Sequence, residues 1–146
     1  MVSKLILRIA GRLDKMCDAY EFVEKIIKGK MVYLDRELHV KNLEWNPHAA
    51  FKGVFLKHLI KGDSSDGKFS YHLVKIAEGF EIGDHIHEGK WELHEVVGGV
   101  GSGVMAGKEI VYEPGVTVVV PDSVVHRITA GKGDLYILAK FIPALL

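Results

Sequence analysis

The sequence holds a single cysteine, Cys17, so no disulfide can form within the chain. Cysteine poverty of this kind fits a reducing, cytoplasmic setting. Surplus charge is missing too: Lys+Arg and Asp+Glu each number 19. Phosphate backbones and anionic membrane surfaces select a basic excess, so neither nucleic-acid binding nor a polybasic membrane anchor is expected. A helix-turn-helix pattern and a basic stripe are equally absent. No apolar run reaches the ~20 residues that cross a bilayer. The opening MVSKLILRIAGR has an apolar stretch, but Arg8 interrupts it and it is too short for the hydrophobic region of a signal peptide. There is no low-complexity tract, clean repeat or second-domain boundary. What remains is a chain of 146 residues, 48% hydrophobic, sized for one soluble domain with one core.

The pattern along the chain changes once. Residues from about 14 to 28, DKMCDAYEFVEKIIK, read as a helix, with Asp14 able to cap its start and Gly29 to end it. Met16, Tyr20, Val23 and Ile27 recur at helical spacing and would form a stripe packed on the domain or on a second subunit. Cys17 in this segment reads as a small core or surface residue. Beyond Lys30 come short segments rich in β-branched and aromatic residues: MVYLDRELHV, GVFLKHLI, FSYHLVKIA, HEVVGGV, GVMAGKEIVY, GVTVVVP and LYILAKFI. Turn-formers such as KGDSSDGK, EGFEIGD, EPG, PDS and AGKGD separate them. Short strands with tight turns at this spacing predict an all-β barrel or sandwich, preceded by a helical extension over residues 1–30.

One stretch, GDHIHEGKWELHEVVGG, concentrates chemistry. It places three histidines and three glutamates within the eleven positions from His85 to Glu95. In an extended segment, side chains two apart share a face, so His85 and His87 point together, as do Glu92, His94 and Val96. Gly89, in the turn EGK, can adopt a left-handed conformation, and a hairpin-like return would bring Glu92 beside the two histidines. Two imidazoles and a carboxylate are three legs of a metal site. His126 is a candidate for the fourth. It follows the apolar strand VTVVV and the turn PDS, and a histidine among valines requires a hydrogen-bonding or metallic partner.

These residues resemble the cupins. The first cupin motif, G-x5-H-x-H-x3,4-E-x6-G, is filled at every position by Gly79, His85, His87, Glu92 and Gly99. The second, G-x5-P-x-G-x2-H-x3-N, is matched in register by Gly115, Pro121 and His126, with Ser123 where glycine is usual and Ala130 where asparagine is usual. The resemblance extends over residues from about 40 to 142 and implies a double-stranded β-helix, or jelly roll, as the domain over residues 31–146. It implies one divalent metal (Fe, Mn, Zn, Ni, Cu or Co) in the open mouth of the barrel, on His85, His87, Glu92 and His126. His126 would reach it from across the barrel. It also implies a small-molecule ligand or substrate and, commonly, a homodimer.

The remaining polar residues read more plainly. His94 shares the face of Glu92 and is a cavity group beside the site or a proton shuttle. His72 is in phase with Ser70, Val74 and Ile76, which points it inward as a core or substrate-contacting histidine. Glu88 and Glu95 are expected to face solvent, and His39, His48 and His58 are given no role. GGVGSG, Gly98 to Gly103, has a strand rather than a helix after it, so it reads as a kink in the barrel and not as a phosphate loop. Three functions fit the pattern. One is a metal-dependent oxygenase or isomerase of a small organic molecule, another a non-catalytic metal-dependent sensing module, and the third a metal-bearing scaffold.

Overall fold

The computed structural model describes residues 19–146, so Asp14, Met16 and Cys17 lie outside the described residues. The helix α1 spans Glu21–Lys28 and ends at Gly29, as expected. It does not continue back through Tyr20, which sits at φ −118° and ψ 2° outside helical geometry. A tertiary contact overrides helix propensity here: the Tyr20 hydroxyl donates to the Asp134 carbonyl at 2.9 Å, 114 residues away.

Twelve strands follow. A small hairpin joins β1 (Lys30–Val32) to β2 (Glu37–His39), where the sequence suggested one continuous segment. The hairpin forms because Tyr33 N–H bonds back to the Arg36 carbonyl across LDR. The large sheet contains β3 (Asn46–Pro47), β4 (Val54–Ile60), β5 (Ser70–Ile76), β7 (Trp91–Gly98), β10 (Thr117–Val120) and β12 (Leu135–Ile142), in the order β10-β7-β12-β5-β4-β3. The small sheet contains β6 (Glu81–His85), β8 (Gly101–Met105), β9 (Lys108–Tyr112) and β11 (His126–Ala130), in the order β6-β11-β8-β9. All pairings are antiparallel. The chain passes repeatedly from one sheet to the other, which is the jelly-roll arrangement expected from the sequence.

The alternation of side chains builds two separate apolar layers. Val74, Ile76, Val96, Val118, Val120, Ile137 and Phe141 of the large sheet face Ile82, Tyr112, Ile128 and Ala130 of the small one, filling the barrel. The opposite face of the large sheet presents Leu59, Leu73, Val97 and Leu138, which α1 covers with Val23 and the following turn covers with Val40. The helix therefore packs on its own barrel. Lys57, on this outer face, is buried, and its ammonium donates to the carbonyls of Val40 and Leu43 beneath the Trp45 ring.

Gly98–Gly99 ends β7 and sends the chain to the other sheet, so the glycine-rich stretch is the corner of the barrel. Gly99 has φ +76°, and a Cβ there would collide with the Asp134 carbonyl, so glycine is required twice over. Among the described residues, no helix is long and apolar enough to cross a membrane.

Candidate metal centre

Three strand ends and the crossing between β6 and β7 deliver the site. β6 ends at His85, and β11 begins at His126 directly opposite it in the ladder. Their ring centroids are 4.1 Å apart. His126 is therefore the immediate neighbour of His85 and does not come from across the barrel. Glu92 does: it lies on β7 of the large sheet, between Phe141 and Val120 in register. The turn EGK likewise makes no hairpin, because β6 pairs with β11 while β7 pairs with β10 and β12. It is a crossing between sheets, with Gly89 at φ +72° as the turn requires. The crossing carries His87 inward, its ring 4.9 Å from that of His85.

One ligand atom from each of His85, His87, Glu92 and His126 lies within 4.8 Å of all the others, so this group could hold a metal ion. Among the described residues it is the one such group of three or more His, Cys, Asp or Glu side chains. The hydrogen bonds around it assign the ring nitrogens. His85 donates Nδ1–H to the Gly83 carbonyl at 2.8 Å, and His126 donates Nδ1–H to the Val124 carbonyl at 2.9 Å. Carbonyls only accept, so each neutral ring is left with a bare Nε2 lone pair. The His126 Nε2 nevertheless stands 3.0 Å from Glu92 Oε2, with His87 Nε2 at 3.4 Å from the same oxygen. Two lone pairs do not approach so closely unless a cation sits between them, either a proton on His126 or a metal. The donor set, imidazole nitrogen with one carboxylate oxygen, suits a borderline divalent ion.

The electrostatics follow the same contacts. Glu92 is 5% exposed, and burial alone would raise its pKa. His94, His126 and His87 outweigh that burial and hold the carboxyl well below the usual carboxylate range. Burial lowers His87 and brings His85 down to about 4, favouring neutral, ligand-competent rings. Burial also pulls His126 down, but its bonds to Glu92 and to the Val124 carbonyl win, and its pKa is raised.

The structure separates the other sequence candidates. His94 is buried, with Nε2 at 2.7 Å from Glu92 Oε1 and Nδ1 at 2.8 Å from the Tyr112 hydroxyl. His72 is fully buried, bonded through Nε2 to Ser70 Oγ and through Nδ1 to His58 Nδ1, each at 2.9 Å. It faces the site only through Phe141, whose ring is 5.7 Å from His72 and 4.9 Å from His87. Glu88 is exposed, and Glu95 turns outward to Lys140 at 2.8 Å. Ser123, at the usual glycine of the second motif, takes φ +60°, the conformation that glycine adopts freely.

Sequence reasoning missed Tyr112, His58 and Phe51. Alternation along KEIVY puts Tyr112 inward with Ile110, so that signal was present. Phe51 lies in a loop without periodicity, and its ring packs 5.8 Å from that of His85. A surface cleft of about 710 Å³, lined by residues such as Glu81, Ser102, Glu109 and Arg127, shares no side chain with the cluster.

No family model matches the chain, and no curated protein resembles it in sequence. Solved structures do share its fold. A predicted oxalate decarboxylase from Thermotoga maritima superimposes with a TM-score of 0.66 at 24% identity, over 70% of this chain and 95% of that one. The polyketide cyclase RemF from Streptomyces resistomycificus gives 0.65 at 15% identity, over 76% and 85%. A sugar phosphate isomerase from Silicibacter pomeroyi, of the cupin superfamily, gives 0.64 at 18%, over 73% and 75%. At these identities the likeness establishes the barrel and leaves the chemistry to the residues inside it.

Proposed function

We propose that this cupin-fold chain binds one divalent transition metal on His85, His87, Glu92 and His126 and uses the remaining coordination positions to hold a small organic molecule through an oxygen atom. The observation that carries the reading is the convergence of one ligand atom from each of His85, His87, Glu92 and His126 within 4.8 Å, with Nδ1 of His85 and of His126 committed to backbone carbonyls so that Nε2 is the atom each offers. When bound, such an ion polarises a substrate oxygen and, if redox-active, also supports oxygen chemistry, so isomerisation and oxygenation are both within its range.

The chain's own residues prepare the site. The Gly83 and Val124 carbonyls hold two imidazoles in the ligand tautomer before any ligand arrives. Phe51 against His85 and Phe141 against His87 give the centre apolar flanks, which exclude water and suit the carbon skeleton of an organic molecule. Of the three histidines that face Glu92, His87 is the most open, with 20% of its side chain exposed against 2% for His94 and 3% for His126, so access from solvent is supported on its side.

The test is a thermal-shift screen of small oxygen-donor molecules against metal-loaded protein, with His126→Ala as the control. A ligand at 100 times its Kd adds about 2.7 kcal/mol, or roughly 5–10 °C in a domain of this size. The shift is expected only in the metal-loaded wild type. Equal shifts with and without metal, or none across the panel, would count against the reading.

A further inference from the structure

The cluster has a second tier that decides how Glu92 is presented. Glu92 Oε2 faces His126 and His87, whereas Oε1 faces away from them, toward His94 Nε2 at 2.7 Å. A ligating carboxylate is deprotonated and can only accept, so His94 must donate Nε2–H to Oε1. A neutral imidazole that donates from Nε2 has a lone pair at Nδ1. The group 2.8 Å from that lone pair is the Tyr112 hydroxyl, which must then donate to it. The whole chain is thereby directed: Tyr112 O–H to His94 Nδ1, His94 Nε2–H to Glu92 Oε1.

All three side chains are buried, at 2%, 2% and 5% exposure for Tyr112, His94 and Glu92, so water does not substitute for any link. They also come from different sheets. Tyr112 closes β9 of the small sheet, and His94 and Glu92 lie two apart on the inner face of β7. The hydroxyl therefore bridges the barrel, and the relay is set by the closure of the fold.

We propose that Tyr112 and His94 are positioning residues that occupy Glu92 Oε1 and so restrict this carboxylate to one-oxygen ligation through Oε2. The inference rests on the metal reading above and adds to it. A buried carboxylate with both oxygens free can chelate an ion and take up a further position. With Oε1 tied to His94, that position stays available to a substrate.

The experiment uses the full chain, stripped of metal and titrated with Co2+ alone. Affinity, the visible Co2+ spectrum and the side-chain nitrogen shifts of His94 are followed in the wild type and in Tyr112→Phe, His94→Leu and His94→Gln. Loss of a partner behind a ligand typically weakens metal binding about 10- to 100-fold. His94→Leu is expected to lose Co2+ affinity by that factor, and its spectrum should weaken as Glu92 turns to two-oxygen ligation and the coordination number rises. His94→Gln retains an N–H donor for Oε1 and should recover most of the affinity and the spectrum. Tyr112→Phe keeps the ring and should weaken binding several-fold, with a shift at His94 Nδ1 as its lone pair loses the hydroxyl donor while Nε2–H is retained. The Nε2–H form is the expected state of His94 in the wild type, with or without Co2+. Wild-type binding with unchanged affinity and spectrum in His94→Leu and Tyr112→Phe would overturn this inference alone. So would an Nδ1–H His94 in the wild type, a result that stands even if His94→Leu fails to fold. A wild type that takes up no Co2+ would overturn the metal reading and this inference together.

Discussion

Acid should weaken the metal-free barrel through His72 by an amount the structure sets. Burial is the main cause that lowers His72 from 6.5 to about 4, and the neighbouring His58 adds to it. Stability rises with pH wherever the unfolded chain binds more protons than the folded one. For a depressed histidine that window opens at its unfolded value of 6.5 and closes near its folded value of about 4. The stabilisation is thus present above the window and is lost as pH falls through it. At pH 5 the unfolded ring is almost fully protonated and the folded ring only about a tenth so, a difference of about 2 kcal/mol relative to neutral pH. His72 is 0% exposed, so solvent screening does not reduce this figure. With a urea slope of about 2 kcal/mol per molar, the unfolding midpoint should fall by about 1 M between pH 7 and pH 5 from this residue alone. His85, also lowered to about 4, adds a drop of its own that remains when His72 is replaced. The assay is therefore the pH-induced midpoint shift in wild type minus that in His72→Gln, both with chelator. A difference near zero would refute the reasoning, whatever the absolute stability of the variant.

Three further outcomes follow from the packing and the site. Gly79→Ala and Gly99→Ala both place alanine at a φ near +75°, at a cost of about 1–2 kcal/mol each, but only Gly99 has a carbonyl, that of Asp134, where the new Cβ would go. Thermal melts should show Gly99→Ala lower by a further ~1–3 kcal/mol, and equal losses would contradict the close approach. Lys57→Met keeps the buried stem but takes the ammonium donor from the Leu43 carbonyl, while Val40 still accepts from the Leu43 N–H. Chemical denaturation should register a loss of about 1–3 kcal/mol, and an unchanged midpoint would show that the Leu43 carbonyl has another partner. Glu92→Gln removes the charge that raises His126, so the His126 ring, followed by NMR titration, should deprotonate at lower pH than in the metal-free wild type. An unmoved titration would mean that Glu92 does not hold that proton.

The sequence made some layers of this molecule legible and hid others for physical reasons. Alternation within a strand is local, so the inward faces of β5 and β7, and with them His72, Glu92 and His94, could be read from period two. Which strands pair is non-local. The sequence therefore brought His126 from the wrong side and made a hairpin of a crossing between sheets. Helix propensity is a weak prior, and in the described part of the segment 14–28 the turn just before Glu21 goes with the long-range bond from Tyr20 to Asp134. Loop residues such as Phe51 carry no periodic signal at all. Lys57 went unnoticed for a related reason: lysine is rarely buried, and only the folded chain shows the carbonyls that receive it.

The most direct measurement is elemental analysis of tag-free protein as isolated and after reconstitution with single divalent metals, run beside His126→Ala. The account predicts close to one transition-metal ion per wild-type chain and a large loss in the variant, with both folded by circular dichroism. Wild-type protein that neither carries a metal nor takes one up, or a variant that holds the metal equally well, would contradict the convergence of His85, His87, Glu92 and His126 on one ion.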